Sequence, residues 1–78
     1  MPRFYFDHRN GPDLVSDEEG IDCHDASQAR DLAIRALGEV ARERLSGPEH
    51  RELAIDVSDE SRTPLFCAAV SFRLKIVG

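Results

Sequence analysis

The sequence predicts a two-layer α+β domain with the element order strand–strand–helix–strand–strand, in which one helix packs on one face of an antiparallel sheet. Residues 3–9 and 52–59 alternate large apolar side chains with mostly polar ones, which is typical of half-buried strands. Residues 26–45 repeat apolar side chains every three or four positions, which is typical of a helix. The 78 residues are enough for one small domain, residues 1–78.

The first element is an aromatic strand that enters a hairpin. Within residues 3–9, one face carries Phe4, Phe6 and His8, and the other carries Tyr5, Asp7 and Arg9. Asn10 and Gly11 both tolerate positive φ and indicate a tight turn. A short second strand follows around Leu14 and Val15, and an extended segment resumes at Ile21 after the acidic turn Asp17, Glu18 and Glu19.

The helix is the clearest element of the sequence. Asp25 is a preferred N-cap residue, and Gln28 stands three positions later, as a capping box requires. Gly47 and Pro48 indicate the end of the helix. One stripe faces the core: Ala29, Leu32, Ala33, Ala36, Leu37, Val40 and Ala41, extended by Leu45.

The last two strands define a face of the sheet that the helix leaves uncovered. Leu53, Ile55 and Val57 point towards the helix, and so does the larger-residue face of a long final strand over residues 65–77. The opposite face is partly apolar, although open antiparallel faces are usually polar. A second copy of the chain would cover it. The expected interface comprises Tyr5, Ala54, Leu65, Cys67, Ala69 and Ser71.

Composition argues against several classes of function. The formal net charge is −5, with ten basic and fifteen acidic residues, so nucleic-acid binding is disfavoured. No apolar run approaches the roughly 18 residues of a membrane span, and Asp7 interrupts any signal-peptide core. Two cysteines without an export signal favour free thiols in the cytoplasm.

The run Cys23-His24-Asp25 combines the residue types of a cysteine hydrolase or a metal site. Because neighbours in an extended segment point to opposite faces, we expect Cys23 to face the core and His24 the solvent, while Asp25 caps the helix. A site formed by His8 and His24 with an acid such as Asp7 or Asp17 is the alternative. The turn of Asp17, Glu18 and Glu19 and the pair Asp59 and Glu60 are expected to be solvated, so we predict no catalytic residue, metal or cofactor.

Four segments resemble a family of small uncharacterised bacterial domains found in rhizobium-type alphaproteobacteria: MPRFYFDHRNG, DEEGID, DASQARDLAIRAL and IDVSDESRTPLF. The resemblance covers nearly the whole chain and implies the same fold, but no catalytic residue. The segment SDESRTP lacks the Gly that members often have in the last turn. A weaker similarity to HicB-type antitoxins, which also place a hairpin before an Ala-rich helix, is a fold-level analogy.

These observations predict a non-enzymatic domain that acts by protein–protein contact, as a homodimer or with another protein partner. The alternative is a nucleic-acid-associated or antitoxin-like regulator, and a third is a small metal-binding or enzymatic protein.

Overall fold

The computed structural model describes residues 1–44, 50–73 and 75–78, and it confirms the predicted α+β class. Within these ranges the elements are β1 (Arg3–Asn10), β2 (Asp13–Val15), β3 (Ile21–Asp22), α1 (Ala26–Arg44), β4 (His50–Ser58) and β5 (Pro64–Arg73). The strands form an antiparallel sheet in the order β2-β1-β4-β5, with β3 also paired to β1. The helix lies over β4 and β5.

The β1–β2 hairpin turns one residue later than the sequence predicted. Asn10 pairs with Asp13 as the last strand pair, so the central turn residues are Gly11 and Pro12. Gly11 has φ 60°, whereas Asn10 stays in the strand. Because the ring of Pro12 fixes its φ near −65°, the turn takes positive φ at its first central position, the pattern of a type II′ hairpin.

The acidic turn closes a gap in the sheet and is therefore more than a solvated loop. β3 pairs with Arg3 and Phe4, and β2 pairs with the other end of β1, so neither reaches the middle of that edge. The Asp17 carboxylate fills the gap by accepting the N–H of Phe6 at 3.0 Å. It also accepts the N–H groups of Glu19 and Gly20, each at 3.1 Å. The expectation of a solvated turn is wrong for Asp17.

The helix starts as predicted. Asp25 accepts the N–H of Gln28 at 2.9 Å, and the Gln28 side chain accepts the N–H of His24 at 2.5 Å. The capping pair therefore forms, although Gln28 reaches one residue further back than in a standard box. The predicted end at Gly47 and Pro48, like the extension to Leu45, lies outside the described residues.

The core lies between α1 and the sheet, and its inward faces agree with the sequence pattern. Leu32, Ala36 and Val40 of α1 are partly buried at its margin, as are Phe66 and Ala68 of β5. The buried residues of the cluster are Phe4, Phe6, Cys23, Ala29, Ala33, Leu37, Ala41, Leu53, Ile55 and Val57.

The final strand is shorter than residues 65–77. Within the described residues it runs to Arg73, which pairs with His50, and residues 75–78 are not part of a strand. Ile76, predicted to face the helix, lies beyond the strand and is exposed, while Leu74 lies outside the described residues. At the other end the register shifts, since Val57 pairs with Phe66 but Ser58 pairs with Pro64.

Candidate interaction surface

The sheet face opposite the helix carries an ion pair at its centre. The guanidinium of Arg9 on β1 donates to both carboxylate oxygens of Asp56 on β4, at 2.8 and 3.1 Å. The same guanidinium donates to Sγ of Cys67 on β5 at 3.4 Å. This bidentate geometry is the strong form of an arginine–carboxylate contact. The middle of the face is therefore charged and internally paired.

Arg62 covers a second part of that face. Its guanidinium lies 3.7 Å above the centre of the Tyr5 ring, donates to the backbone carbonyl of Asp17 at 2.8 Å and approaches Asp7 at 3.7 Å. Arg62 also has φ 65°, a left-handed conformation that favours glycine. The sequence predicted neither this conformation nor the contacts of the arginine.

The predicted interface residues fall into two groups. Tyr5 is half-buried beneath Arg62, and Ala54 is buried between its strand neighbours Arg9 and Ala69. The remaining four lie on β5 and are exposed: Leu65, Cys67, Ala69 and Ser71. The register shift leaves Leu65 without a partner on β4, so simple alternation no longer assigns it to the face of Cys67. The accessible part of the predicted interface is thus confined to β5.

In the part of the chain that the structure describes, the backbone groups on the outer edge of β5 have no strand partner. In the described ranges no strand pairs with this edge, and the ten-residue strand carries no charged residue before Arg73. Exposed apolar side chains accompany it, with Leu65 42% and Val70 36% exposed. Natural sheets usually protect an edge with charges, prolines, bulges or very short strands. Apart from Pro64 and the register shift at one end, β5 lacks these features.

The flank of α1 nearest β5 also exposes apolar and small residues. Val40 and Glu43 line a cleft beside β1 and β2, so the opposite flank, with the exposed Ile34 and Gly38 and the buried Ala41, faces β5. Ile34 is 56% exposed. A Cβ built at Gly38 would meet no described atom within 4 Å. We call β5 together with Ile34, Gly38 and Ala41 the β5 margin.

The run Cys23-His24-Asp25 is divided as the sequence predicted. Cys23 is fully buried in the core, His24 is exposed, and Asp25 holds the start of the helix. Burial raises the pKa of the Cys23 thiol, and the carboxylates of Asp22 and Asp25 add to the effect. A higher thiol pKa means less thiolate, which is the nucleophilic form.

The pKa of the second thiol, that of Cys67, is also raised, but mainly by a hydrogen bond rather than by burial. The hydrogen bond with Asp56 raises the pKa of Cys67, and burial and the charge of Asp56 raise it further, against the opposing effect of Arg9. Cys67 and Cys23 are both free. They lie on opposite faces of the sheet, since Cys67 shares the face of Arg9 whereas Cys23 lies beneath the helix.

The two histidines of the alternative site are not joined by a shared acid. His8 is half-buried at the rim of a cleft of about 490 Å³, whose floor includes Leu37, Leu53 and Ile55. Asp7, on the other face of β1, accepts the N–H of Asp17 at 2.8 Å. Across residues 1–44, 50–73 and 75–78, no group of three His, Cys, Asp or Glu side chains has the arrangement of a metal site.

The acidic residues Asp59 and Glu60 both accept hydrogen bonds from backbone N–H groups. The Asp59 carboxylate accepts the N–H groups of Ser61 and Thr63 at 2.9 and 3.0 Å. Glu60 accepts the N–H of Arg3 at 2.9 Å. These two carboxylates therefore organise the β4–β5 turn and tie it to the start of β1 through solvent-exposed hydrogen bonds, in agreement with the expectation that they are solvated.

The family model for DUF6894, a domain of unknown function, matches residues 3–71. No curated protein and no solved structure matches the chain. In the described part of the chain, α1 is not apolar enough to cross a membrane. The chain therefore belongs to the DUF6894 family.

Proposed function

With membership of this family as the premise, we propose that the chain is a non-enzymatic protein–protein interaction domain that associates with a second copy of itself. The observation that carries the proposal is the unprotected β5 edge, with exposed Leu65 and Val70 along it. A domain of this size buries only about 60% of the surface that its unfolded chain exposes, so its stability is marginal. Association would bury further apolar surface and thereby stabilise the fold.

The proposal excludes catalysis by the two thiols. The pKa of each thiol is raised, which disfavours the nucleophilic thiolate, and Cys23 is inaccessible in the core. We also propose a bacterial origin, as the family resemblance implies, and a cytoplasmic location, because free thiols are typical of reducing compartments.

The nucleic-acid alternative has less support from the side-chain contacts. Arg3, Arg9 and Arg62 each lie within 4 Å of a carboxylate, which reduces the positive potential that phosphates would meet. The helix still presents exposed basic residues, of which Arg30 lies beside Asp31.

Light scattering coupled to size exclusion tests the proposal on untagged protein over a wide concentration range. We expect the mass to rise from 8.7 kDa towards twice that value. A monomer at high micromolar concentration would refute self-association. Low-salt binding to mixed DNA and RNA, and elemental analysis of the same sample, test the other two functions. Salt-sensitive binding would favour the regulator, and a stoichiometric metal would favour the metal protein.

A further inference from the structure

We infer that the second copy pairs antiparallel along β5, on a two-fold axis at Ala69, so that two sheets become one and the two α1 helices lie side by side. This inference rests on the proposed self-association and specifies where and how it occurs. It differs from the stacking of two open sheet faces, in which the helices would lie on opposite outer sides of the pair.

The backbone of β5 provides the first requirement for such pairing. Its outer N–H and C=O groups have no strand partner in the described ranges, and strands add to an edge of this kind through main-chain hydrogen bonds. Between Leu65 and Phe72 the strand contains no proline and no charge. Nothing in this stretch opposes a second strand.

The side chains of β5 are compatible with themselves in this register. Centring the pair on Ala69 places Ala69 opposite its own copy, and Cys67 opposite the partner's Ser71. On the helix side, Phe66 meets the partner's Phe72, and Ala68 meets the partner's Val70. These are aromatic and aliphatic cross-strand pairs, which stabilise a sheet, and no like charges stand opposite each other. The half-buried Phe66 and Phe72 and the exposed Val70 would lose their remaining access to water.

The helix position agrees with this register. Because α1 lies over β4 and β5, its axis is about one strand spacing from the proposed two-fold axis. Two helices would then be about 10 Å apart, since neighbouring strands are about 4.8 Å apart. Packed helices have interaxial distances of about 8–10 Å. The two helices would therefore be in contact.

The cleft on the other flank indicates which part of the helix would meet its copy. Leu37 and Val40 line that cleft together with Ala54, which pairs with Ala69. Gly38 therefore lies near the level of the proposed two-fold axis, with Ile34 and Ala41 one turn away on either side. A glycine at this point lets the helices approach closely, and Ile34 becomes covered by the partner helix.

The area involved is sufficient for a specific dimer. A ten-residue strand is about 30 Å long, and a sheet with one helix layer is about 20 Å deep. The contact therefore buries on the order of 600 Å² per protomer, above the lower limit of about 500 Å² per partner for a specific interface. Stacked open faces would instead bring Arg9, Asp56 and Arg62 of each copy out of water although each is already paired.

The test compares dimerisation constants, measured by sedimentation equilibrium, for three lysine variants at exposed positions. Ala69→Lys places two charges across the two-fold axis, and Ile34→Lys places charges between the helices. Leu14→Lys is the matched control, because Leu14 is 62% exposed on the opposite edge strand β2. We expect at least tenfold weaker dimerisation for the first two variants and no change for the control, with thermal unfolding showing that all three fold.

The possible results distinguish pairing along the β5 edge from self-association in general. If the unmodified chain is monomeric, both are refuted. If it dimerises and Ala69→Lys abolishes the dimer while Ile34→Lys does not, self-association stands and edge pairing is refuted in favour of stacked faces. If neither variant has an effect, the dimer forms elsewhere and the β5 margin is not its interface.

Discussion

Replacing Asp17 by alanine should be among the most destabilising surface substitutions in this chain. The carboxylate accepts three backbone N–H groups, at 3.0 to 3.1 Å. Two of these bonds, to Phe6 and Gly20, are partly buried, and an unsatisfied buried donor costs about 1–3 kcal/mol. We expect a loss of about 2–4 kcal/mol, a large share of the roughly 4–12 kcal/mol available to 78 residues.

The pH dependence of stability gives the same prediction a second measurement. Burial alone would raise the pKa of Asp17, but the N–H groups of Phe6, Gly20 and Glu19 and the charge of Arg62 outweigh burial and lower the pKa. A carboxyl group with a lowered folded pKa stabilises the protein above its unfolded pKa of about 3.9. That contribution is lost as the pH falls through the lowered pKa that Asp17 has in the folded state. Asp17→Ala should therefore make the free energy of unfolding depend less on pH in the acidic range.

Urea unfolding followed by circular dichroism, at pH 7 and down to pH 2, measures both effects. Glu18→Ala is the matched control, because this exposed neighbour has the same charge. We expect the control to change stability by less than about 0.5 kcal/mol. Equal losses for the two variants, or an unchanged acid limb for Asp17→Ala, would refute the role of the carboxylate as a cap on the β1 edge.

Three further predictions follow from local contacts. Asp25→Ala should cost about 1 kcal/mol in a urea titration by removing the helix cap, and His24→Ala almost nothing; the reverse order would contradict the capping assignment. Ellman's reagent should modify Cys67 in the folded protein, slowly because of its raised pKa, and Cys23 only after unfolding; rapid modification of both would contradict the burial of Cys23. Gly38→Ala should stabilise the monomer by about 1 kcal/mol, measured by thermal melts in an Ala69→Lys background, because the added Cβ meets open space. In the otherwise unmodified chain the same substitution should weaken dimerisation. Equal or tighter dimerisation would contradict close approach of the helices at Gly38.

The sequence predicted those features that depend on local periodicity. Leu53, Ile55 and Val57 alternate so regularly that the buried face of β4 followed directly, and each of the three is 1% exposed. The helix start followed from Asp25 and Gln28 for the same reason, since a cap and its partner are three residues apart in the chain.

Features that depend on distant partners were beyond prediction. The pairing of Arg73 with His50 joins residues 23 positions apart in the chain, and the role of Asp17 is set by a gap between β2 and β3. Arg62 contacts Tyr5, 57 residues away in the chain, and no local pattern encodes that contact. Strand order likewise depends on which edges meet, and alternation within a strand carries no such information.

The Asp17 cap also limits how large an assembly the chain can build. A sheet with two open edges is bivalent, so each added copy offers a new site and the product is a fibre. Here β2, β3 and Asp17 occupy one side of β1, so that in the described ranges the two edge strands are β2, with three residues, and β5, with ten. Because very short edge strands are a usual protection against strand addition, each copy offers one long edge. If the chain associates through β5 as proposed, the long open edge of both copies is consumed and growth would terminate at two.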